Sequence, residues 1–271
     1  MKSSRRRASP VESGEVLNSF SLAGKVALVT GGAGRYGRFI VEALAGAGAI
    51  TYIASRNLEK CRELADELSQ KGYKVLAGQL DQASQVSARE LYERILREQG
   101  KIDILVNNAV SRPMKGYSDP VESFAASMEV NATGLFMVTK VFSQDMIKRR
   151  CGSIINIASI QGVVGPDFSL YEGTEMDAPP DYFFHKAGMI NLTRYLAAKL
   201  GPYGVRVNAI SPGGLFANQD PAFVERYNKR TFLGRMASGD EIKGAVVFFA
   251  SDASSYITGA NLMVDGGYTA K

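Results

Sequence analysis

Two cysteines, one histidine and no long apolar run are the scarcities that bound this chain of 271 residues. Cys61 and Cys151 stand far apart, without a CxxC pattern or clustered histidines, so neither a disulfide framework nor a metal centre is expected. A reducing, cytoplasmic setting fits that usage. No stretch approaches the ~18 to 20 apolar residues that cross a bilayer, and the start lacks the apolar core of a secretory signal, so no membrane partner is expected. Net positive charge is scarce beyond the start: of the net +5, Lys2, Arg5, Arg6 and Arg7 supply all but +1. A nucleic-acid surface is therefore not indicated. What is plentiful is core material, with 45% hydrophobic residues against 22% charged.

Residues 1–20 carry no apolar periodicity and read as a flexible basic extension before a single domain, 21–271. Within that domain short β-branched runs alternate with segments of helical period. The runs are KVALVT (25–30), ITYIA (50–54), YKVLA (73–77), IDILVN (102–107), GSIINIA (152–158), VRVNAI (205–210) and NLMVD (261–265). Between them apolar residues recur three or four apart, as in Phe39, Ile40, Ala43, Leu44 and Ala47, or Leu58, Cys61, Leu64 and Leu68. This alternation predicts a doubly wound α/β fold, a seven-stranded parallel sheet with helices on both faces.

The first run leads straight into Thr30-Gly31-Gly32-Ala33-Gly34-Arg35-Tyr36-Gly37 and then a helical stripe. Glycines suit a turn whose backbone N–H groups must approach a pyrophosphate, because a Cβ there would collide with the ligand. Its place between first strand and first helix points to a dinucleotide. The second run ends in Ser55-Arg56 with no acid to accept from an adenosine ribose, and a hydroxyl beside a guanidinium suits a 2′-phosphate. NADP(H) is therefore expected over NAD(H), with Arg35 able to add a second positive charge.

Tyr182 and Lys186 lie four apart at the head of a helical segment, so phenol and ammonium can share one face. A free phenol is too weak an acid for proton exchange at neutral pH, and a neighbouring amine favours its ionised form. In isolation such a pair is usually structural. Its setting is not isolated, however. The order of the glycine turn, Asp81, Asn107-Asn108-Ala109, Asn131 in ValAsnAlaThrGly, Ser159, Tyr182/Lys186, Ser211-Pro212-Gly213 and Asp265-Gly266-Gly267 resembles the short-chain dehydrogenase/reductase family over about Ser21 to Tyr268.

That resemblance implies a Rossmann fold and an oxidoreductase acting on a carbonyl or secondary alcohol. It implies Tyr182 as general acid/base, Ser159 bonding the substrate oxygen, Lys186 holding the nicotinamide ribose, and Asn131 supporting a water relay. It further implies cofactor contacts from Gly31, Gly34, Arg35, Tyr36, Gly37, Asp81, Asn108, Ala109, Pro212, Gly213 and Leu215, with Asn107 beside the adenosine. A small-molecule carbonyl or alcohol substrate and a homo-oligomer, commonly a tetramer joined through helices around 121–149 and 181–200, are implied as well.

Several positions depart from the pattern. Arg35 stands where the family has a glycine, which predicts strain if that position needs a positive φ. Val110 and Ala217 replace a glycine and a threonine. The interval between Ser159 and Tyr182, 23 residues, is longer than usual, which makes Tyr171 a rival. Tyr171 has Glu175 four residues on, and Pro179 and Pro180 would interrupt a helix begun there. Tyr182 heads an uninterrupted helix with Asp181 as its cap. The surplus, within 166–181, carries five acids and no base, and it can offer carboxylates to a polyhydroxylated or amine-bearing substrate. TyrGluGlyThr with SerProGlyGly and Asn218-Gln219 resembles a sub-branch associated with flagellin-modifying sugars. Pro221 to Thr231 predicts a short helix forming a lid. Two other readings stay open: an acyl-chain 3-oxo reductase on the same fold, or a non-catalytic dinucleotide-binding scaffold.

Overall fold

The computed structural model describes residues 14–270. The seven runs become β1 (Val26–Thr30), β2 (Ile50–Ser55), β3 (Val75–Gln79), β4 (Ile104–Asn107), β5 (Gly152–Ile157), β6 (Val205–Pro212) and β7 (Asn261–Val264). They form one sheet in the order β3-β2-β1-β4-β5-β6-β7, every pair parallel. The third lies two residues later than YKVLA predicts. The helices are α1 (Glu15–Asn18), α2 (Arg35–Gly46), α3 (Leu58–Gln70), α4 (Gln85–Gln99), α5 (Val121–Met128), α6 (Leu135–Arg149), α7 (Pro180–Leu200), α8 (Pro221–Arg230) and α9 (Lys243–Ala250).

Strand side chains alternate between two apolar layers, which is why the runs are apolar throughout. Ala27 and Val29 join Ile40 and Leu44 of α2, Leu64 and Leu68 of α3 and Phe249 of α9. Val26 and Leu28 join Leu91 and Ile95 of α4, Phe142 of α6 and Leu196 of α7. Strand order reverses at β1, between β2 on one side and β4 on the other. The crevice beyond the C-terminal ends of β1 and β4 is where a doubly wound fold binds its ligand.

Two features refine the expectations. The helical stretch at 121–149 is broken between α5 and α6 by a π-helical segment, Glu129–Gly134, whose extra residue per turn re-aims the side chains around it. At the start, the Ser19 carbonyl accepts from Ala253 N at 3.0 Å and Phe20 lies 6.2 Å from Phe248, ring to ring. The folded body thus begins before Ser21, and α1 places a helical turn in the segment expected to be unstructured. Residues 1–13, with the arginine run, lie outside the described residues.

Candidate active site

The glycine turn and the strand beside it are built as one unit. Gly31 has φ +63°, and a Cβ there would fall 2.7 Å from Ala109 Cα. A Cβ on Gly37 would meet the Gly31 carbonyl at 2.3 Å, so α2 can begin this close to β1 only without a side chain. Thr30 Oγ1 accepts from the backbone of Asn108 and Ala109 at 3.1 and 3.0 Å. Asn108 Nδ2 returns bonds to the carbonyls of Thr30 and Gly31. Arg35 is not strained: it is an exposed first residue of α2 with negative φ, after an extended Gly34. The family's glycine there is dispensable for φ, and the side chain stands in open solvent.

This cradle fits a dinucleotide, since glycines at Gly31 and Gly37 let the turn close tightly against β4 and α2 at the C-terminal end of β1, where a helix start offers backbone N–H groups to a phosphate. Beyond the end of β2, Arg56, Asn57, Leu58, Glu59 and Gln79 line an open hollow suited to the ribose end of such a ligand. Ser55 is less available than expected, its hydroxyl donating to Asn57 O at 3.0 Å and lying 3.1 Å from Cys61 Sγ. Asp81 folds back to accept from Ala83 N at 3.0 Å. The Asn107 side chain turns away from the crevice, donating to Thr139 and Asn156 inside the sheet. Its side chain is a strut between β4 and β5, which leaves its backbone for the adenosine side.

At the opposite end of the crevice, Tyr36 Oη donates to the Gly213 carbonyl at 3.1 Å. Gly214 N donates to Tyr227 Oη at 2.5 Å. Two phenols, one from the glycine turn and one from α8, thus hold the loop that follows Pro212. Burial, with Tyr227 and Tyr182 nearby, pushes the Tyr36 phenol above its ordinary range. Leu215, in the same loop, bridges to Ala237 beyond α8.

The helix carrying Tyr182 starts at Pro180, whose fixed φ and missing N–H suit a first turn. Asp181 does not cap it. Its side chain is buried, and Oδ2 accepts from Ser127 Oγ at 2.5 Å. Ser127 in turn accepts from Asn131 Nδ2 at 2.9 Å. Asn131, in the π segment, also donates to Ser111 O and accepts from Ser111 N, both at 2.8 Å. The network runs from α7 through α5 to the loop after β4.

The next residue on that loop is Arg112, whose guanidinium carbon lies 4.7 Å from the Tyr182 ring centroid. Lys186 Nζ lies 5.5 Å from the same centroid, as the four-residue spacing predicts. Lys186 is buried and donates to Ile157 O at 2.6 Å, at the end of β5. Burial first, and then the Arg112 charge, holds its amine down to about 7. Ser159, two residues beyond Ile157, accepts from Gln161 N at 3.2 Å and opens a tight turn. A Cβ on Gly162 would lie 2.7 Å from the Lys186 carbonyl, so this turn presses on α7 only because that residue is glycine. The turn that Ser159 opens thus packs on α7, the helix that carries Tyr182 and Lys186, at the C-terminal end of β5.

Tyr171 stands on the lid side of the Ser159 turn, its side chain hydrogen-bonded to Gln161 and away from the Tyr182 and Lys186 pair. Its ring packs 5.3 Å from Phe223 of α8, beside Leu170, Tyr227 and Met236. The insert it belongs to is fastened to the lid helix, with Arg230 paired to Asp167 at 2.5 Å and Arg226 donating to the carbonyls of Leu170 and Glu172. Its acids are largely spent or outward. Asp167 is paired, Asp181 is tied to Ser127, and Glu172, Glu175 and Asp177 are exposed.

His185 is buried edge-on to the Tyr182 ring, 5.2 Å away, and neither nitrogen has a hydrogen-bond partner among the described residues. Burial, then Lys186 and Arg112, depresses it to about 3. Between pH 6.5 and 3 the unfolded chain binds a proton that the folded chain refuses, so this group's contribution to stability is lost as pH falls. His185→Phe is expected to abolish about 3 kcal/mol of the loss between pH 6.5 and 4. Urea unfolding at those two pH values measures it, and an unchanged acid sensitivity would contradict the assignment.

Arg112, Ser127 and the inward turn of Asp181 were not foreseen. No local motif marks them, and only the folded topology brings the loop after β4 over α7.

The chain matches the model of a family described as enoyl-(acyl carrier protein) reductase over residues 36–269. It is 36% identical over 269 residues to 2-dehydro-3-deoxy-D-gluconate 5-dehydrogenase of Bacillus subtilis, covering 95% of this chain and 100% of that one. It is 35% identical to the 3-oxoacyl-[acyl-carrier-protein] reductase FabG of Aquifex aeolicus, covering 91% and 98%. Its structure resembles that of a gluconate 5-dehydrogenase from Burkholderia cenocepacia in complex with NADP and tartrate, with TM-score 0.85, 32% identity and coverage of 95% and 100%.

Proposed function

The chain belongs to the short-chain dehydrogenase/reductase family, as an oxidoreductase moving a hydride between a nicotinamide dinucleotide and a carbonyl or secondary alcohol, and we propose that this member uses NADP(H) on a polar, sugar-like substrate. The observation that carries the reading is Tyr182 at the sheet's C-terminal rim with Lys186 one turn below it.

When bound, the dinucleotide supplies or takes up the hydride. Gly31, Gly34 and Gly37 would admit its phosphates, with Tyr36, Pro212, Gly213 and Leu215 at its far end. In the direction of reduction Tyr182 delivers a proton to the substrate oxygen as negative charge grows there, and Ser159 donates a hydrogen bond to the same atom. Lys186 places positive charge against that ring and is the group to hold the ribose. Asn131 spends both amide protons on Ser111 and Ser127, and so positions the loop.

The preference for NADP(H) rests on exposed Arg56 at the hollow beyond β2, where the acid in the lining, Glu59, is paired with Arg62. The Burkholderia relative's NADP complex supports it. Arg56→Ala is expected to weaken NADPH binding about tenfold to a hundredfold and NADH binding little, because a charge-assisted contact is worth about 1.5–3 kcal/mol. Fluorescence titration with both coenzymes checks this, and an equal loss for both would reject it.

A second reading, reduction of an acyl-chain 3-oxo group, is favoured by the apolar cluster of Ile160, Leu170, Phe223 and Met236 beside the cleft. Turnover of an acetoacetyl thioester but not of ketoses would select it. Exposed Phe136 on α6, with Phe184 and Tyr195 on α7, supports a homo-oligomer through these helices.

A further inference from the structure

We propose that Arg112 is a specificity-determining residue that anchors a carboxylate on the substrate, a few bonds from the carbon that reacts; this rests on the reading of Tyr182 as the proton donor.

The guanidinium lies over the very ring whose hydroxyl meets the reacting oxygen. Anything bound at both groups has its anionic and reacting centres separated by only a few bonds. The fork is also unspent. Arg149 uses its donors on Asp103, Asp145 and Ile102 O, Arg206 on Ser254 and two carbonyls, and Arg235 on Glu241. Arg112 is exposed, and among the described residues no carboxylate pairs with it.

Nor is it a loose surface arginine. Ser111 before it is clamped at both N and O by buried Asn131, and Pro113 after it confines Arg112 to extended backbone. Buried Met114 anchors the far side of the loop. A side chain held at its root by two fixed neighbours loses little freedom on binding.

The two charges on the Tyr182 ring have one sign, and the acid beside this loop, Asp177, lies against Gly116 farther along it. Lys186 lies on the same ring, and Arg112 contributes to the depression of both Lys186 and His185. Asp181, the acid nearest in sequence, is buried against Ser127 and belongs to the clamp. The positive charge at this rim therefore awaits an anion from the ligand. The cradle for the dinucleotide's phosphates is at Gly31 and Gly37, so this is a separate demand. A planar carboxylate matches the planar fork in a two-point contact. An amine-bearing substrate, which the acids of the insert suggested, would meet repulsion here.

The test is calorimetric titration of the NADP⁺-loaded protein with D-gluconate, D-sorbitol and D-sorbitol 6-phosphate. Gluconate is expected to bind about tenfold to a hundredfold more tightly than sorbitol. Arg112→Gln should bring gluconate down to the sorbitol level, and Arg112→Lys should restore part of the difference. Retained NADP⁺ binding shows that each variant is folded. Equal affinity for gluconate and sorbitol, no measurable gluconate binding, tighter binding of the phosphate ester, or a gluconate affinity indifferent to Arg112→Gln would each overturn the proposal. If Arg112-dependent gluconate binding holds but no sugar acid or polyol is oxidised with either coenzyme, the role of Tyr182 fails and the carboxylate anchor stands.

Discussion

Tyr182→Phe is expected to lower kcat by roughly 10²- to 10⁴-fold, the usual worth of a positioned proton donor. Tyr171→Phe should leave kcat within a few-fold. Both rings keep their packing as phenylalanine, so neither variant opens a cavity, and NADPH titration shows that each binds coenzyme. The contrast follows from where the two phenols sit. Tyr182 has Arg112 and Lys186 against its ring and lies near Tyr36 of the glycine turn, while Tyr171 packs at a tilt against Phe223 in the lid cluster. Single-turnover kinetics of both variants decides between them. A silent Tyr182→Phe, or a collapse in Tyr171→Phe, would reverse the assignment.

Lys186→Met is expected to act with opposite signs on activity and stability. Activity should fall about a hundredfold or more, since the cation beside the proton donor is gone. Stability should rise at neutral pH. The unfolded amine keeps its proton up to its ordinary value of 10.5, whereas the folded one gives it up near 7. Across that interval the unfolded chain binds more protons, so the protein gains stability as pH climbs from 7 towards 10.5. Burying the charge costs most at pH 7 and below. Methionine removes that cost but forfeits the bond to Ile157 O, leaving a net gain of about 1–4 kcal/mol at pH 7 that shrinks by pH 9.5. Urea unfolding of both proteins at pH 7 and 9.5 measures it. A variant less stable than its parent at pH 7 would show that the ammonium is a net stabiliser.

Much of this was legible in the chain itself, for physical reasons that can be named. Parallel strands buried on two faces must be short apolar runs, and the helices between them must carry a stripe, so the sheet follows from pattern, while its strand order comes from the structure. The glycine turn was readable because a Cβ at Gly31 or Gly37 has nowhere to go. Its one apparent fault, Arg35, proved harmless because glycine was expected there for a positive φ that the helix start does not use. The Tyr182 and Lys186 pair was readable because helical spacing is local. What escaped the sequence is long-range. Arg112 reaches α7 from 70 residues away in the chain. Asp181 turned inward because Ser127 offered a hydroxyl that no local rule could reveal. Ser55 and Asn107 were spent on internal bonds that only the packed neighbours disclose.

The fastening of the insert to α8 has its own consequence. With Arg230 gripping Asp167 and Arg226 gripping two carbonyls, the insert and α8 are tied into a single panel. A molecule leaving the cleft must swing that whole panel outward. Because its ion pair is partly exposed, ionic strength sets how stiffly the door hangs and hence how fast product escapes.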